Sequence, residues 1–372
     1  MIKLTPYFGH DDGAQRLGAF LKMVADVVPF FREDVLDGLP AGTLGKPRAR
    51  GKSYRNYLQQ RKITDGTDDN ERKRVDARLA ERLIAEYSGK LHCRLYQGCS
   101  GDGHVNKSNL RELLTVWLED GDIPNDLRFD DTGDSKPLLA HVFRYEVFSQ
   151  HKDLYDYVKR IGAEVCPYCN RLFTTTVTAK GHRTRPQLDH FKSKTEYPYL
   201  ALSINNLVPS CGVCNLLKHD GDEKLVYPYG EEMGDACSFK TTIPKDHITA
   251  VLTGSRIASK EFKLDLSVNL PDAESAQAKR LENSIDKFAL KELYESHRPY
   301  VADLYFQRYI LTDERVEDIY NQFRTLFKSK QEVRDALLAM SNLAEHPGDR
   351  PLSKLTRDIQ REIEALYAEN CP

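Results

Sequence analysis

The chain has 372 residues, enough for about two or three domains. Hydrophobic residues make up 40% and charged residues 30%, and the formal net charge is −2, which excludes a uniformly basic nucleic-acid binder and leaves any polyanion site to be local. No apolar run approaches the ~18 residues of a membrane-spanning helix, and Met1 to Phe20 lacks the basic start and apolar stretch of a signal peptide, so a location in the cytoplasm with no membrane partner is expected.

From the N-terminus, Leu17–Phe31 predicts an apolar helix ending near Pro29. Lys46 to Lys62 holds seven basic residues and no acidic one, with Tyr54 and Tyr57 interleaved. Arg48, Arg50, Lys52 and Arg55 are candidate nucleic-acid contacts there, although a solvated face or an acidic partner protein would use the same charges. Glu71–Tyr87 carries Val75, Leu79, Leu83 and Ile84 at helical spacing, and Leu110–Leu118 is a further helix candidate. Leu138–Ile161 returns to a helical pattern.

The next stretch is framed by cysteines. Of eight in the chain, four form Cys166-Pro-Tyr-Cys169 and Cys211-Gly-Val-Cys214, with 41 residues between the pairs. Two such knuckles read as one tetrahedral zinc site rather than as disulfides, which agrees with a reducing compartment. Four thiolates leave no open position on the ion, so that zinc is structural and any catalytic ion sits elsewhere. Cys93, Cys99, Cys237 and Cys371 are scattered, and Cys237 reads as a lone buried thiol. Within the module, Leu172–Thr178 and Gln187–Phe191 predict strands, Gly181 interrupts them, and a short helix is expected over Cys211–Leu217. Further on, Phe239–Ile243, Ile248–Leu252 and Phe262–Val268 alternate as short strands, and the chain reads as helical from Asp272.

The fold class expected is therefore α+β, a small zinc-bound ββα module embedded between mostly helical flanks. The divisions are 1–150, mostly helical; 151–235, the module; and 236–372, short strands followed by helices.

Chemistry concentrates inside the module. Asp189 offers a hard oxygen to Mg²⁺ or Mn²⁺, and the carbonyl of Asn215, tethered to the second knuckle, offers another. His190 can take a proton from water near neutral pH. Asn206 is placed to support His190 by hydrogen bonding, while Lys192 and Lys218 are candidate phosphate contacts. On a strand, Asp189 and His190 point to opposite faces unless a twist re-aims them.

Cys166-x-x-Cys169, Asp189-His190, Asn206-Leu207-Val208-Pro209 and Cys211-x-x-Cys214-Asn215-x-x-Lys218 together resemble the zinc-containing HNH endonucleases, the ββα-metal superfamily. The resemblance covers roughly residues 162–220. It implies nucleic-acid cleavage with one Mg²⁺ or similar ion, His190 as general base, Asp189 and Asn215 on the metal, and Asn206 as the supporting asparagine. His219 is the alternative to Asn215 as the third named residue. The stretch from Asp189 to Pro198, with Asn206-Leu207, is also similar to bacterial HNH proteins of anti-phage defence.

Three functions follow as expectations. The first is a metal-dependent endonuclease, its substrate double-stranded DNA. The second is a non-catalytic zinc module binding nucleic acid or a partner, which has no need of the Asp-His pair. The third is a nuclease silent until a partner such as an ATPase activates it. No GxxxxGK[ST] loop occurs, so ATP sensing would come from another chain.

Overall fold

The structure, a computed structural model, describes residues 2–6, 9–27, 114–118, 121–123, 143, 145–221, 224–337 and 348–370. The basic run with Arg48, Arg50, Lys52 and Arg55, and the Glu71–Tyr87 helix, lie outside the described residues, as do Cys93, Cys99 and Cys371. Only 114–118 of the Leu110–Leu118 candidate are described, and Val116–Leu118 there are not helical. Two compact units are present: Leu4–Gly162 with Thr175–Glu223, and Met1–Lys3 with Ala163–Thr174 and Lys224–Pro372.

The first unit opens with helix α1 (Gly13–Val27). Its buried Phe20 meets Phe148 edge-on at 5.5 Å and Tyr157 at 5.4 Å, an aromatic cluster that joins α1 to α2 (Tyr145–Phe148) and α3 (Leu154–Ile161). The helical pattern expected over Leu138–Ile161 is two short helices in its described part. Local hydrogen bonds explain the break: Ser149 Oγ donates to Glu146 O (2.9 Å) and the Asp153 amide to His151 Nδ1 (3.2 Å), in competition with the helical ladder.

After α3 comes a hairpin of β1 (Val177–Ala179) and β2 (His182–Thr184), with Ala179 opposite His182. Its two-residue turn is Lys180-Gly181, and Gly181 adopts a left-handed φ of +79° that a side chain would resist. Most of the expected Leu172–Thr178 strand is absent; Phe173 makes an isolated bridge to Val165, and regular pairing starts at Val177.

Strand β3 (Gln187–His190) forms as expected, but its partner is β4 (Leu207–Ser210), antiparallel, with Asp189 opposite Val208 and His190 opposite Leu207. Pro209 hides β4 in the sequence, because a proline inside an apolar run argues against a central strand. In a two-stranded sheet both strands are edges, and proline is tolerated. Helix α4 (Gly212–Lys218) follows β4 at once, completing strand, loop, strand, helix.

In the second unit, Ala163–Thr174 folds into a knuckle in which the Asn170 amide bonds Cys166 O (2.8 Å) and Asn170 takes a left-handed φ of 53°. Tyr168 stacks on Phe288 at 4.5 Å, and Tyr294 Oη donates to Cys169 O (2.7 Å). Strand β5 (Cys237–Thr242) leads to helix α5 (Lys245–Leu252) and strand β6 (Lys263–Val268), which pairs with β5. The strand expected at Ile248–Leu252 is therefore helical. Pro244 precedes the first helical residue and Asp246 sits in the first turn, both favouring a helix start over a short ambiguous alternation. The remainder is helical, as expected: α6 (Ala276–Lys287), α7 (Leu290–Glu295), α8 (Arg298–Ile310), α9 (Asp313–Gln322), α10 (Lys330–Leu337) and α11 (Ser353–Asn370).

Helix α11 covers the outer edge of β5 with residues four apart. Lys354 Nζ donates to the carbonyls of Gly234 and Cys237, each at 2.8 Å, and to Asp358 Oδ2 at 2.8 Å. Asp358 accepts the Phe239 amide (3.0 Å), and Glu362 accepts the Thr241 amide (2.9 Å). The edge thus finds side chains where a neighbouring strand would sit. Burial pushes the Glu362 carboxyl up and lowers the Lys354 ammonium, while Asp358 opposes the latter shift. Asp358→Ala leaves the buried Lys354 ammonium without its carboxylate. It is expected to cost about 3–5 kcal/mol, read as an earlier urea unfolding midpoint with zinc content unchanged.

Among the described residues, no helix is long and apolar enough to cross a membrane.

Candidate active site and metal centre

The two knuckles converge. The sulfurs of Cys166, Cys169, Cys211 and Cys214 all lie within 4.8 Å of one another, and all four residues are buried. A tetrahedral zinc with Zn–S bonds near 2.3 Å needs sulfurs about 3.8 Å apart, so the group fits that ion with small adjustments. Amides already face the sulfurs: Arg171 N donates to Cys169 Sγ and Cys214 N to Cys211 Sγ, both at 3.4 Å, bonds that favour the thiolate a metal needs. Cys237 stands outside the group; burial pushes its thiol up to about 11, so it stays protonated, in keeping with a lone buried thiol.

β3, β4 and α4 position the other candidates. α4 lies along β3, where Asn215 Nδ2 donates to Gln187 Oε1 (2.7 Å) and Lys218 reaches Asp189. Gln187 and Asp189 are two residues apart on β3 and share a face. Asp189 and Asn215 therefore belong to the same side of the strand, both offering oxygen.

Lys218, expected as a solvent-facing phosphate contact, is buried instead, with only 2% of its surface exposed. Its ammonium donates to His190 O (2.6 Å) and lies 3.3 Å from both oxygens of Asp189. This is a buried ion pair that fixes the Asp189 carboxylate. Lys218→Met would strand that carboxylate, with an expected loss of about 3–5 kcal/mol. Thermal unfolding of the variant checks this, and a change within 1 kcal/mol of zero would show the pair to be dispensable.

His190 leaves the opposite side. Its ring meets the edge of Tyr145 at 4.2 Å, and Nε2 lies 3.0 Å from Ala201 O. A carbonyl only accepts, so Nε2 carries the hydrogen, and in the neutral ring Nδ1 keeps the lone pair. Burial is the main cause that pushes the imidazole down to about 3; the Ala201 bond opposes this, and Lys194 and Lys218 add to it. The ring is neutral through the physiological range.

Asn206 is fully buried and acts through the backbone. Its Oδ1 accepts the Lys192 amide (2.7 Å), and its Nδ2 donates to Lys192 O and Leu200 O, both at 3.0 Å. It thereby ties the end of β3 to the segment whose next carbonyl, Ala201 O, holds His190. The Lys192 side chain is half-buried, its ammonium 5.9 Å from the Phe191 ring centre. His219 is exposed at the end of α4 with a left-handed φ of 48°.

The sequence reading missed several neighbours. Tyr145 covers His190, and its hydroxyl donates to Leu188 O (3.2 Å), while burial pushes that phenol up to about 12. Lys194 lies 4.9 Å over the Tyr145 ring and pairs with Glu146 at 2.8 Å. Asp220 accepts from Ser193 Oγ (2.7 Å) and Thr195 Oγ1 (3.0 Å), and the Ser193 bond chiefly lowers its carboxyl. None sits in a motif. Only Asp220, two residues past Lys218, was within reach of a motif-centred reading.

An antiparallel strand pair joined by a long loop, running directly into a helix, beside a four-cysteine cluster, defines a zinc-type ββα module. Residues 166–221 match the family model HNH endonuclease, so the chain carries an HNH endonuclease domain there. No curated protein and no solved structure matches the chain.

Proposed function

We propose that residues 151–235 are a nuclease module that hydrolyses phosphodiester bonds of double-stranded DNA. The observation that carries the reading is the grouping of His190, Asp189 and Asn215 at β3 and α4, each held in place: His190 Nε2 by Ala201 O, Asp189 by Lys218 and Asn215 by Gln187. His190 accepts the proton of an attacking water at Nδ1. Asn206 and Ala201 O hold the ring, and Lys218 orients Asp189. A divalent ion such as Mg²⁺ or Mn²⁺, held by Asp189 and Asn215, would stabilise charge developing on the phosphate. Lys192 is proposed as a phosphate contact. His219, exposed at the end of α4, remains a weaker candidate than Asn215, which faces β3. The test is cleavage of plasmid DNA, single-stranded DNA and structured RNA with Mg²⁺ or Mn²⁺, beside His190→Ala. Undiminished cleavage by the variant sinks the mechanism.

One observation favours a second reading, a nuclease held silent until a partner acts. His190 is only 8% exposed, under Tyr145 and the Lys194–Glu146 pair. A partner, of ATPase type in the anti-phage setting that the sequence resembles, would then uncover it. Under this reading Tyr145→Ala raises cleavage by the isolated chain about tenfold, equivalent to removing ~1.4 kcal/mol of closing free energy. A fall in cleavage would instead make Tyr145 a positioning residue for His190.

A further inference from the structure

Between Glu164 and Asp189 the sequence holds no aspartate or glutamate. Within that stretch the β1–β2 hairpin carries Lys180, His182 and Arg183, all exposed, with Arg185 half-buried at its base. In a chain of net charge −2 this is a local cationic element, and it leads directly into the strand that bears Asp189 and His190.

The hairpin is built to present its charges. Thr178 pairs with Arg183 across the two strands, and Arg183 and Arg185, two residues apart, share a face. Both guanidinium groups lie over the Tyr155 ring, at 5.6 and 5.7 Å from its centre, a cation–π arrangement that restrains them without neutralising them. Arg185 is anchored further, donating to Ser149 O (2.8 Å) and Pro186 O (3.0 Å). Arg183 and Lys180 have no carboxylate partner among the described residues, and Lys180 stands at the turn. The anchored base and the unpaired cations at the tip are what a backbone-binding ribbon requires.

Reach agrees. His190 lies six positions after Thr184, at most about 20 Å of extended chain. Phosphates on one strand repeat every ~3.4 Å along the axis, so a duplex with its scissile bond at His190 would offer phosphates to the hairpin within about six nucleotides.

We propose that this hairpin, through Lys180 and Arg183, grips the phosphate backbone of duplex DNA beside the cleavage site. The inference rests on the nuclease reading for its choice of ligand. Its test is a binding measurement on full-length protein carrying His190→Ala, so that no turnover intervenes. A labelled DNA duplex is titrated and anisotropy read at several salt concentrations. Lys180→Gln with Arg183→Gln is expected to weaken binding about tenfold or more and to reduce the slope of log K against log salt by about 2, near 0.9 per cation removed. Lys180→Glu alone, at an exposed turn, should weaken binding in the same direction without disturbing the Tyr155 contact. Equal affinity and slope in these variants overturns the proposal, as does a His190→Ala protein that binds single strands but no duplex. Because binding is read in a chain lacking the candidate base, absent cleavage by the wild type leaves the proposal standing. Unaltered binding by the hairpin variants overturns it even in an active nuclease.

Discussion

His190→Ala is expected to lower metal-dependent cleavage by about 10²- to 10⁴-fold, the usual worth of a positioned general base. Nε2 is committed to Ala201 O, which fixes the tautomer and leaves Nδ1 as the acceptor. Alanine retains neither group, and the described surroundings offer no second imidazole in contact to replace it: the ring's neighbour is Tyr145, whose phenol is pushed up to about 12 and stays protonated. The loss should fall on kcat more than on KM, because in the proposed mechanism the ring acts on the attacking water rather than on distant parts of the substrate. Structural damage is separable from chemical damage, since the substitution removes one side-chain hydrogen bond and leaves the β3–β4 register, the Lys218–Asp189 pair and the cysteines in place. Zinc content should therefore stay near wild type and the melting temperature should drop modestly for the loss of one buried ring, while cleavage falls far more. Cleavage unchanged would remove His190 from the mechanism. A variant that loses zinc as well would show that the ring is needed for the fold.

What the sequence made legible is what chemistry forces into fixed spacing. Two Cys-x-x-Cys pairs have few other uses, and the four sulfurs do meet. The helical C-terminal region and strands β5 and β6 were likewise visible, because their periodicity is undisturbed. Legibility fell where one residue contradicts its setting. Pro209 masked β4, so only Leu172–Thr178 and Gln187–Phe191 read as strands of the module. Pro244 turned an alternating segment into α5. The burial of Lys218 was hidden because a lysine on a short helix ordinarily faces water, and only the folded chain shows Asp189 and His190 O waiting for it. Tyr145 was beyond reach for a different cause: it lies 45 positions before His190, on a four-residue helix, and no spacing rule links an aromatic to an imidazole at that distance. Asn206 illustrates the middle case. Its type and place suggested support of His190, but its means, three hydrogen bonds to the backbone of Lys192 and Leu200, belong to the fold.

Replacing Cys214 with serine is expected to abolish stoichiometric zinc binding and with it the order of the ββα module. Four thiolates to zinc contribute about 10–16 kcal/mol of apparent free energy near neutral pH, comparable to a typical domain's whole net stability. The local fold has little to set against that loss. β3 and β4 are four residues each and, among the described residues, pair only with one another, and a lone two-stranded sheet is marginal in water. α4 is seven residues, too short to persist alone, and its first turn is capped by Cys211 Sγ accepting the Cys214 amide. Asn215 follows Cys214 directly and Lys218 lies one turn on, so the oxygen offered beside Gln187 and the ammonium that fixes Asp189 both depend on where the second knuckle is held. Loss of the ion should therefore displace Asn215 and Lys218 together and release Asp189 from its pair. Measured zinc per chain should fall from about one toward zero, the melting transition should drop or broaden, and cleavage should vanish with Mg²⁺ still in excess, as it should after prolonged chelation of the wild type. The converse control is Cys237→Ser, at a buried cysteine outside the cluster, which should keep its zinc. A Cys214→Ser protein that retained full zinc and a wild-type melt would show that the four sulfurs, close as they are, do not form the metal centre.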